Sequence, residues 1–559
     1  MSTRRNDIGE IRNWVSNMFD QAIKWSCNDG QMRDPYESIY SENFAPPCWS
    51  VVAAGLYALT HEARYLEWAE KWIDRSSVMM RAIPALRSYL LGYAAMVLPI
   101  LRNRVELPLL ERIRQKYADT FVKDAHFGVC GAMHIAALQL VGNTYVPQND
   151  ENWFLERRDG VLSVLESRLN PAGFLDDDNC DGNSIPHMLL TCASLAIFLL
   201  DEDLDKAFKN RIVNVLAKTA AWYGKFNGDN HIPAQANRSY NQMYVYPLAA
   251  LLGFVGAGKS ESARIDSIFD YQRQFVDCRG RPAITPNYLS PYATAGVETN
   301  YNRLINDLGV GALAWTVLLL LQKHNWPGIN LCTKVVEENF CDEKAGYGVF
   351  NRGRNRVFFA LRSHRQWQYH LPLQPISICF PSQIHTPFCG AKRSGVNNQY
   401  LKLIPDASKI NPLLDPYFGI YAGKKNGGYV VMGGKAGVLP DGGYKLAGDD
   451  MELSFDVRLE NNSLLLGYRY DINGAERAFF AVPILLWDGK DELSYEIERN
   501  MVRMAWKGRK YLLGALQFSE TWTLAMERSL STGYGISGHF VIPIKSSGQI
   551  AISLSDTTE

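Results

Sequence analysis

One change of hydrophobic rhythm, near residue 330, constrains this chain more than any other feature. Upstream, apolar residues recur at helical spacing in residues 49–60, 65–72, 86–98, 133–141, 189–200, 211–223, 244–254 and 308–321. Each stretch fits one apolar stripe on a 3.6-residue period. Downstream the pattern shortens. Residues 357–361, 429–432, 453–457 and 479–482 read as strands, separated by Gly-rich turns such as 426–428 and 441–443. A run of helices followed by a run of strands predicts two domains rather than one mixed fold. The expected arrangement is α+β and multidomain. Residues 1–330 form a helical domain and residues 331–559 an antiparallel β-sandwich. Helix pairs recur at roughly 40–60 residue intervals without strict sequence repetition, which fits a stacked solenoid or an (α/α) toroid.

Composition narrows the function classes. The 559 residues carry 58 basic and 58 acidic side chains. A balanced chain is neither a general polyanion coat nor an acidic solvating tail, so nucleic acid is not an expected partner. Any grip on a charged ligand must come from a local patch. The ten cysteines show no C-x-x-C pair, which argues against a disulfide scaffold or zinc knuckle and for reduced core thiols. The first ten residues are polar and no apolar h-region follows them. That reads as cytoplasmic, or as secreted with a leader removed. The apolar run at 310–321 is too short for a membrane span and reads as a buried helix, so no membrane is expected. The sequence contains no G-x-S-x-G, Walker A, H-E-x-x-H or Rossmann glycine fingerprint, which leaves serine hydrolase, NTPase, zincin and dinucleotide readings without support.

Three constellations carry chemistry. The first is 173–187, a Gly- and Asp-rich loop entering the apolar run that begins at Met188. Ser184 or Asn183 is placed to cap that helix, with Pro186 in its first turn and His187 near its head. The run Asp177-x-Asn179-x-Asp181-Gly182 resembles the start of a calcium loop. Met188, however, stands where such a loop needs a bidentate Glu. The letters also match a DDxxD diphosphate motif, but in a loop rather than on a helix. A solvated acidic turn is the plainer reading. The second constellation is 227–244, which holds His231, Asn237, Arg238, Tyr240 and Tyr244. Arg238 near Tyr240 or Tyr244 favours a tyrosinate by opposite charge. The third lies between Asn351 and His370, where five arginines occur and no acid. Alternating strand positions put several of them on one face, where guanidinium forks bind carboxylates or sulfates. Further polar residues, Tyr301 and Arg303, stand at the start of the last long helix.

A helical toroid followed by a β-sandwich, with these segments, resembles the polysaccharide lyases of the heparinase II/III-like and exo-alginate lyase-like group. That group carries an Asn/His pair at the head of an inner helix, then Arg, a small polar residue and a catalytic Tyr one turn later. Asn183 and His187 head a helix here, and Arg238–Ser239 precede Tyr244, 57 residues after His187. The group also closes its cleft with a His or Tyr from the sandwich, which by order and distance is His370 or Tyr369. The sequence departs from the pattern in one respect: three residues separate Asn183 from His187, where the group's pair is adjacent. The adjacent pair Asn230–His231, with Tyr288 also 57 residues on, is the rival alignment, but it lacks the Arg–Ser lead-in and the following helix.

The resemblance implies an (α/α) toroid, an incomplete barrel, and β-elimination at a uronic acid in an anionic glycan. Asn183, Arg238 and His370 would neutralise the carboxylate. Tyr244 would act as acid, or as both acid and base, with His187 as the alternative base. Asn237, Tyr240, His231, Tyr301, Arg303, Arg362 and Tyr369 would line the substrate. No cofactor is required on this reading, and a structural divalent cation is compatible with it. Two other readings stay open. One is an α/α-toroid glycoside hydrolase with paired carboxylates drawn from residues 176–181 and Glu298. The other is a non-catalytic carbohydrate-binding protein.

Overall fold

The structure is a computed structural model. It describes residues 8–35, 42, 44–83, 87–120, 132–146, 151–177, 183–227, 235–236, 242–276, 281–289, 304–329, 339–352, 355–362, 375–380, 386–388, 418–424, 429–431, 436–438, 443–448, 451–460, 462–472, 475–516, 518–532 and 534–555. The chain divides into two compact units. The helical unit comprises Met1–Gly224, Gln242–Ile284 and Asn302–Thr333. The β unit comprises Lys225–Asn241, Thr285–Tyr301 and Lys334–Glu559. The chain therefore enters the β unit twice before it leaves the helical one for good.

Six helices form the inner layer of the helical unit: α2 (Ala45–Thr60), α4 (Arg87–Ala95), α7 (Met133–Tyr145), α9 (Ile185–Ala196), α11 (Val245–Ala257) and α13 (Leu304–Lys323). Each touches the next, and α13 packs back on α2, so the inner layer is a ring and the unit a helical toroid. Around it lie α1 (Ile8–Lys24), α3 (Ala63–Ala82), α6 (Leu107–Ala118), α8 (Glu151–Ser167), α10 (Lys206–Asn227) and α12 (Ser262–Gln272), while α5 (Val97–Leu101) continues α4 beyond Met96. The two layers differ as their positions require. Inner helices α9 and α11 are buried almost all round, whereas outer α3 buries one stripe through Tyr65, Ala69, Trp72 and Ile73. By length and hydropathy α13 is long and apolar enough to cross a membrane, yet its most apolar stretch is wholly buried. The ring explains that composition: α13 is flanked by α1, α2 and α11.

The unit repeats in geometry where it does not repeat in letters. After α1, α8 and α12 the chain makes the same small hairpin, closed by bridges between Ser26 and Met32, Leu169 and Leu175, and Val276 and Pro282. Outer bonds close each hairpin eight residues apart: Arg33 N–H to Trp25 O, Asp176 N–H to Arg168 O and Ala283 N–H to Phe275 O, at 2.8, 2.8 and 2.9 Å. Two hairpins turn on glycines with positive φ, Gly30 at 82° and Gly173 at 110°. A side chain at either would also strike the next outer helix, at Lys71 O (2.7 Å) or Lys218 carbonyl carbon (3.0 Å).

Each hairpin then ties down the head of the neighbouring inner helix. Asp34 Oδ2 accepts from Ile305 N–H of α13 at 3.1 Å, and Asp177 Oδ1 accepts from Met133 N–H of α7 at 3.1 Å. In the third copy the carbonyl of Ile284 does the same for Met243 N–H, ahead of α11, at 2.7 Å. These bonds satisfy N–H groups that no helix can satisfy internally. Asp34 is only 2% exposed, so Asp34→Ala leaves a buried donor unmatched. We expect a loss of about 1–3 kcal/mol, read as a lowered denaturation midpoint with near-native circular dichroism.

The β unit is antiparallel at every described pairing. A four-stranded sheet runs β1 (Phe340–Asp342), β2 (Tyr347–Arg352), β3 (Asn355–Ala360), β4 (Pro375–Cys379). A five-stranded sheet has the order β15 (Thr523–Thr532), β16 (Gly535–Ile544), β11 (Ala475–Trp487), β5 (Gly419–Lys424), β6 (Tyr429–Val431). An eight-stranded sheet has the order β12 (Ser494–Glu498), β13 (Met501–Trp506), β14 (Arg509–Leu516), β17 (Ser547–Ser555), β10 (Ser463–Ile472), β9 (Met451–Glu460), β8 (Tyr444–Gly448), β7 (Gly437–Val438). The two larger sheets meet face to face. Phe480 of β11 packs on Phe455 of β9 and Tyr468 of β10, at 6.4 and 5.7 Å between ring centres, and Tyr495 of β12 packs on Phe540 of β16. Phe350 of β2 and Phe359 of β3 join the smaller sheet to Tyr444 of β8.

Candidate active site

The heads of the inner helices meet at one rim of the helical unit. Phe44, before α2, lies 5.5 Å from Tyr89 of α4, and Tyr89 lies 6.2 Å from His134 of α7. His134 lies 4.5 Å from His187 of α9, with the rings tilted by 50°. Trp49 Nε1 of α2 donates to Ile305 O of α13 at 2.9 Å. A methyl group on Gly311 of α13 would lie 3.6 Å from the Cα of Tyr244, the residue that starts α11. Neighbouring helices that touch head to head run parallel, so six positive dipole ends gather at this rim.

The three ties place the rim residues. The residue after each tied N–H is His134 in α7, Tyr244 ahead of α11 and Asn306 in α13. His134 and Tyr244 are 9% and 6% exposed, and Asn306 is fully buried.

The loop entering α9 is built as its sequence implies. Ser184 is the N-cap, its Oγ accepting from His187 N–H at 3.3 Å, and proline stands in the first turn. Asn183 takes a left-handed conformation, φ 56°, which asparagine tolerates better than most residues. Its Oδ1 accepts from Asp177 N–H at 2.8 Å, which draws the two ends of the 177–183 loop together. Asp177 is no solvated acidic residue: it is 4% exposed and committed to the head of α7.

Tyr93, on α4 next to Tyr89, is 1% exposed. Burial, followed by the neighbouring Tyr89, Cys48 and Tyr244, pushes its phenol well above the usual tyrosine range, so it keeps its proton at neutral pH. The Cys48 thiol is likewise pushed well up by burial.

Of the residues picked out by sequence, Asn183, His187 and Tyr244 thus belong to the helical unit and to its rim. Arg362 belongs to the β unit, just beyond β3, with its aliphatic stem across Gly346 (φ 86°). Tyr288, from the rival alignment, is also in the β unit, where its N–H donates to Asp488 O at 2.7 Å. Arg238, Asn237, Tyr240, His231, Tyr301, Arg303, Tyr369 and His370 lie outside the described residues, as do Asp178 and Glu298.

Of the five arginines of this stretch, Arg354 and Arg365 lie outside the described residues, and two of the others are bonded to backbone carbonyls. Arg352 donates to Leu459 O at 2.8 Å, and Arg356, 5% exposed, donates to Lys225 O at 3.0 Å. Strand β3 is buried at all six positions, because β2 and β4 flank it and both faces are covered. Sequence reasoning missed His134, Tyr89 and Tyr93, which it counted only as parts of apolar helices. The available signal was a lone histidine at the second position of α7.

No family model matches the chain, and no curated protein does. Among solved structures it is similar to heparinase III, at 12% identity and a TM-score of 0.48, over 99% of this chain and 86% of that one. It is also similar to a glycosyl hydrolase family 88 protein from Bacteroides vulgatus, at 14% identity and a TM-score of 0.37, over 56% and 99% of the two chains. A polysaccharide lyase is similar at 12% identity and a TM-score of 0.35, over 56% of this chain and 98% of that one. Heparinase III, to whose group the sequence segments bear a resemblance, is thus among the solved structures that this chain is similar to.

Proposed function

We propose that this chain is a carbohydrate-active lyase that cleaves a uronate-containing glycan by β-elimination. The observation that carries the reading is the rim. His187 and Tyr244 head the touching inner helices α9 and α11, among six helix N-termini that favour an anion.

The chemistry needs three functions. The C5 proton of a uronate is poorly acidic while the adjacent carboxylate is fully charged, so positive or hydrogen-bond-donating groups must hold that carboxylate. The helix ends supply part of this field. A base takes the C5 proton, the C4–O bond breaks, and an acid protonates the departing oxygen. The electron pair of the broken C–H bond becomes the C4=C5 double bond. Where the proton and the leaving oxygen share a face of the sugar, Tyr244 serves both steps. Where they are opposed, His187 is the base and Tyr244 the acid. Asn183 acts through the loop it closes, which sets His187 at the rim.

The test is incubation of the folded chain with a panel of uronate glycans. Ultraviolet absorbance from the conjugated unsaturated product is the expected result. Release of reducing ends without that absorbance would replace the proposal with a hydrolase using carboxylates. Binding without turnover would replace it with a carbohydrate-binding protein.

A further inference from the structure

We propose that His134, Asp177 and His187 form a divalent transition-metal site at the rim. One nitrogen from each imidazole and one carboxylate oxygen of Asp177 all lie within 4.8 Å of one another. No other group of three such side chains comes this close among the described residues.

The chemistry of the donors selects the ion. Two imidazoles and a carboxylate suit zinc and its neighbours, whereas calcium and magnesium prefer sets made only of oxygen. A tetrahedral zinc holds nitrogen and oxygen at about 2.0–2.2 Å, so its ligand atoms stand roughly 3.3–3.6 Å apart. The three donor atoms lie within 4.8 Å of one another, so side-chain rotations that draw them closer by up to about an ångström close the triangle on one ion. Three protein ligands leave a fourth position for water or substrate, which is the pattern of a reactive rather than a structural site.

The backbone around the site is already fixed. Asp177 is anchored through Oδ1 to the Met133 N–H, the residue before His134, and through its own N–H to Asn183. His187 follows the Ser184 cap. Both histidines therefore sit on helix heads whose entry loops are tied to the same aspartate. The tie made by Asp34 is a control within the molecule. It holds α13 in the same way, but Asn306 stands where His134 stands, and no metal-ligating group forms there among the described residues. The ties are the toroid's architecture, and the histidine pair is an addition to one of them.

The site does not depend on the lyase reading, because uptake is measured without turnover; with a metal bound, His187 is a ligand rather than a base, and both proton steps fall to Tyr244. The full chain is stripped with a chelator and titrated with Co²⁺, then with Zn²⁺. The expected result is saturable uptake of one cobalt per chain, with visible ligand-field bands that zinc abolishes and a melting temperature raised by the metal. His134→Ala should weaken uptake by at least about tenfold. Asp177→Asn should do the same, since it keeps the oxygen that accepts from Met133 but loses the charge. Circular dichroism identifies variants that have kept their fold. A folded wild-type chain that takes up no cobalt overturns the proposal. So does equal uptake by wild type and both folded variants.

Discussion

Tyr244→Phe is expected to lower kcat by about 10²–10⁴-fold on whichever uronate glycan the wild type cleaves, with little change in KM. The substitution removes one oxygen and nothing else. The ring stays in place at the head of α11, 6% exposed and beside Gly311. The backbone tie through Met243 N–H and Ile284 O is untouched. Loss of the hydroxyl's own hydrogen bonding costs about 0.5–1.5 kcal/mol of stability, a small shift of the melting curve beside the expected loss of kcat. A fall in kcat with KM preserved marks a group that acts in the transition state rather than in substrate binding. Tyr93 is the control. It is close enough to be influenced by Tyr244 and is more deeply buried, and it holds its proton. Tyr93→Phe should therefore reduce turnover far less. A Tyr244→Phe enzyme within a few-fold of wild type would remove Tyr244 from the mechanism.

The sequence exposes the two kinds of structure plainly, because the hydrophobic period is a local property. The stretches read as helical fall on α2, α3, α4 with α5, α7, α9 with its short continuation, α10, α11 and α13, and the four stretches read as strands fall on β3, β6, β9 and β11. The head of α9 was legible for a related reason: capping and turn chemistry is written in adjacent residues, as at Ser184 and Pro186. The ring itself was not legible. It is held by bonds between distant backbone groups, and its repeated hairpins share only a few letters. Asp34 and Asp177 occupy equivalent places, but the third copy uses the carbonyl of Ile284 instead, which no side chain records. Charge misleads in the same way. Asp177 reads as a solvated acid and Arg356 as a ligand-facing cation, yet both are buried and each bonds a distant backbone group. Residue type reports what a side chain can bind. Only the fold reports that a backbone group has already taken it.

Gly92→Ala is expected to destabilise the helical unit by about 3 kcal/mol, through overpacking that the backbone cannot relieve. Helices α4 and α7 are adjacent in the ring and approach closely here. An added methyl group at Gly92 would meet Leu138 at its carbonyl oxygen, at 2.5 Å from its Cβ and at 2.7 Å from its carbonyl carbon. A flexible side chain could swing away from such a contact, but a helix backbone cannot. Either α4 shifts outward or the first turns of both helices lose their packing. Gly142 lies on α7 at the same interface and separates this explanation from a general intolerance of change. A methyl group there meets the Leu91 side chain at 3.5 and 3.6 Å and the Gly92 nitrogen at 3.9 Å, all ordinary contact. Alanine is also favoured over glycine in a helix by about 1 kcal/mol. Gly142→Ala should therefore be neutral or stabilising. The two variants should differ by several degrees in melting temperature. The consequence reaches the chemistry, because α4 carries Tyr89 and Tyr93 and α7 carries His134. A folded fraction of Gly92→Ala should lose activity beyond its loss of stability, while Gly142→Ala keeps both. Equal melting temperatures for the two variants would mean that α4 and α7 are not in the close contact described.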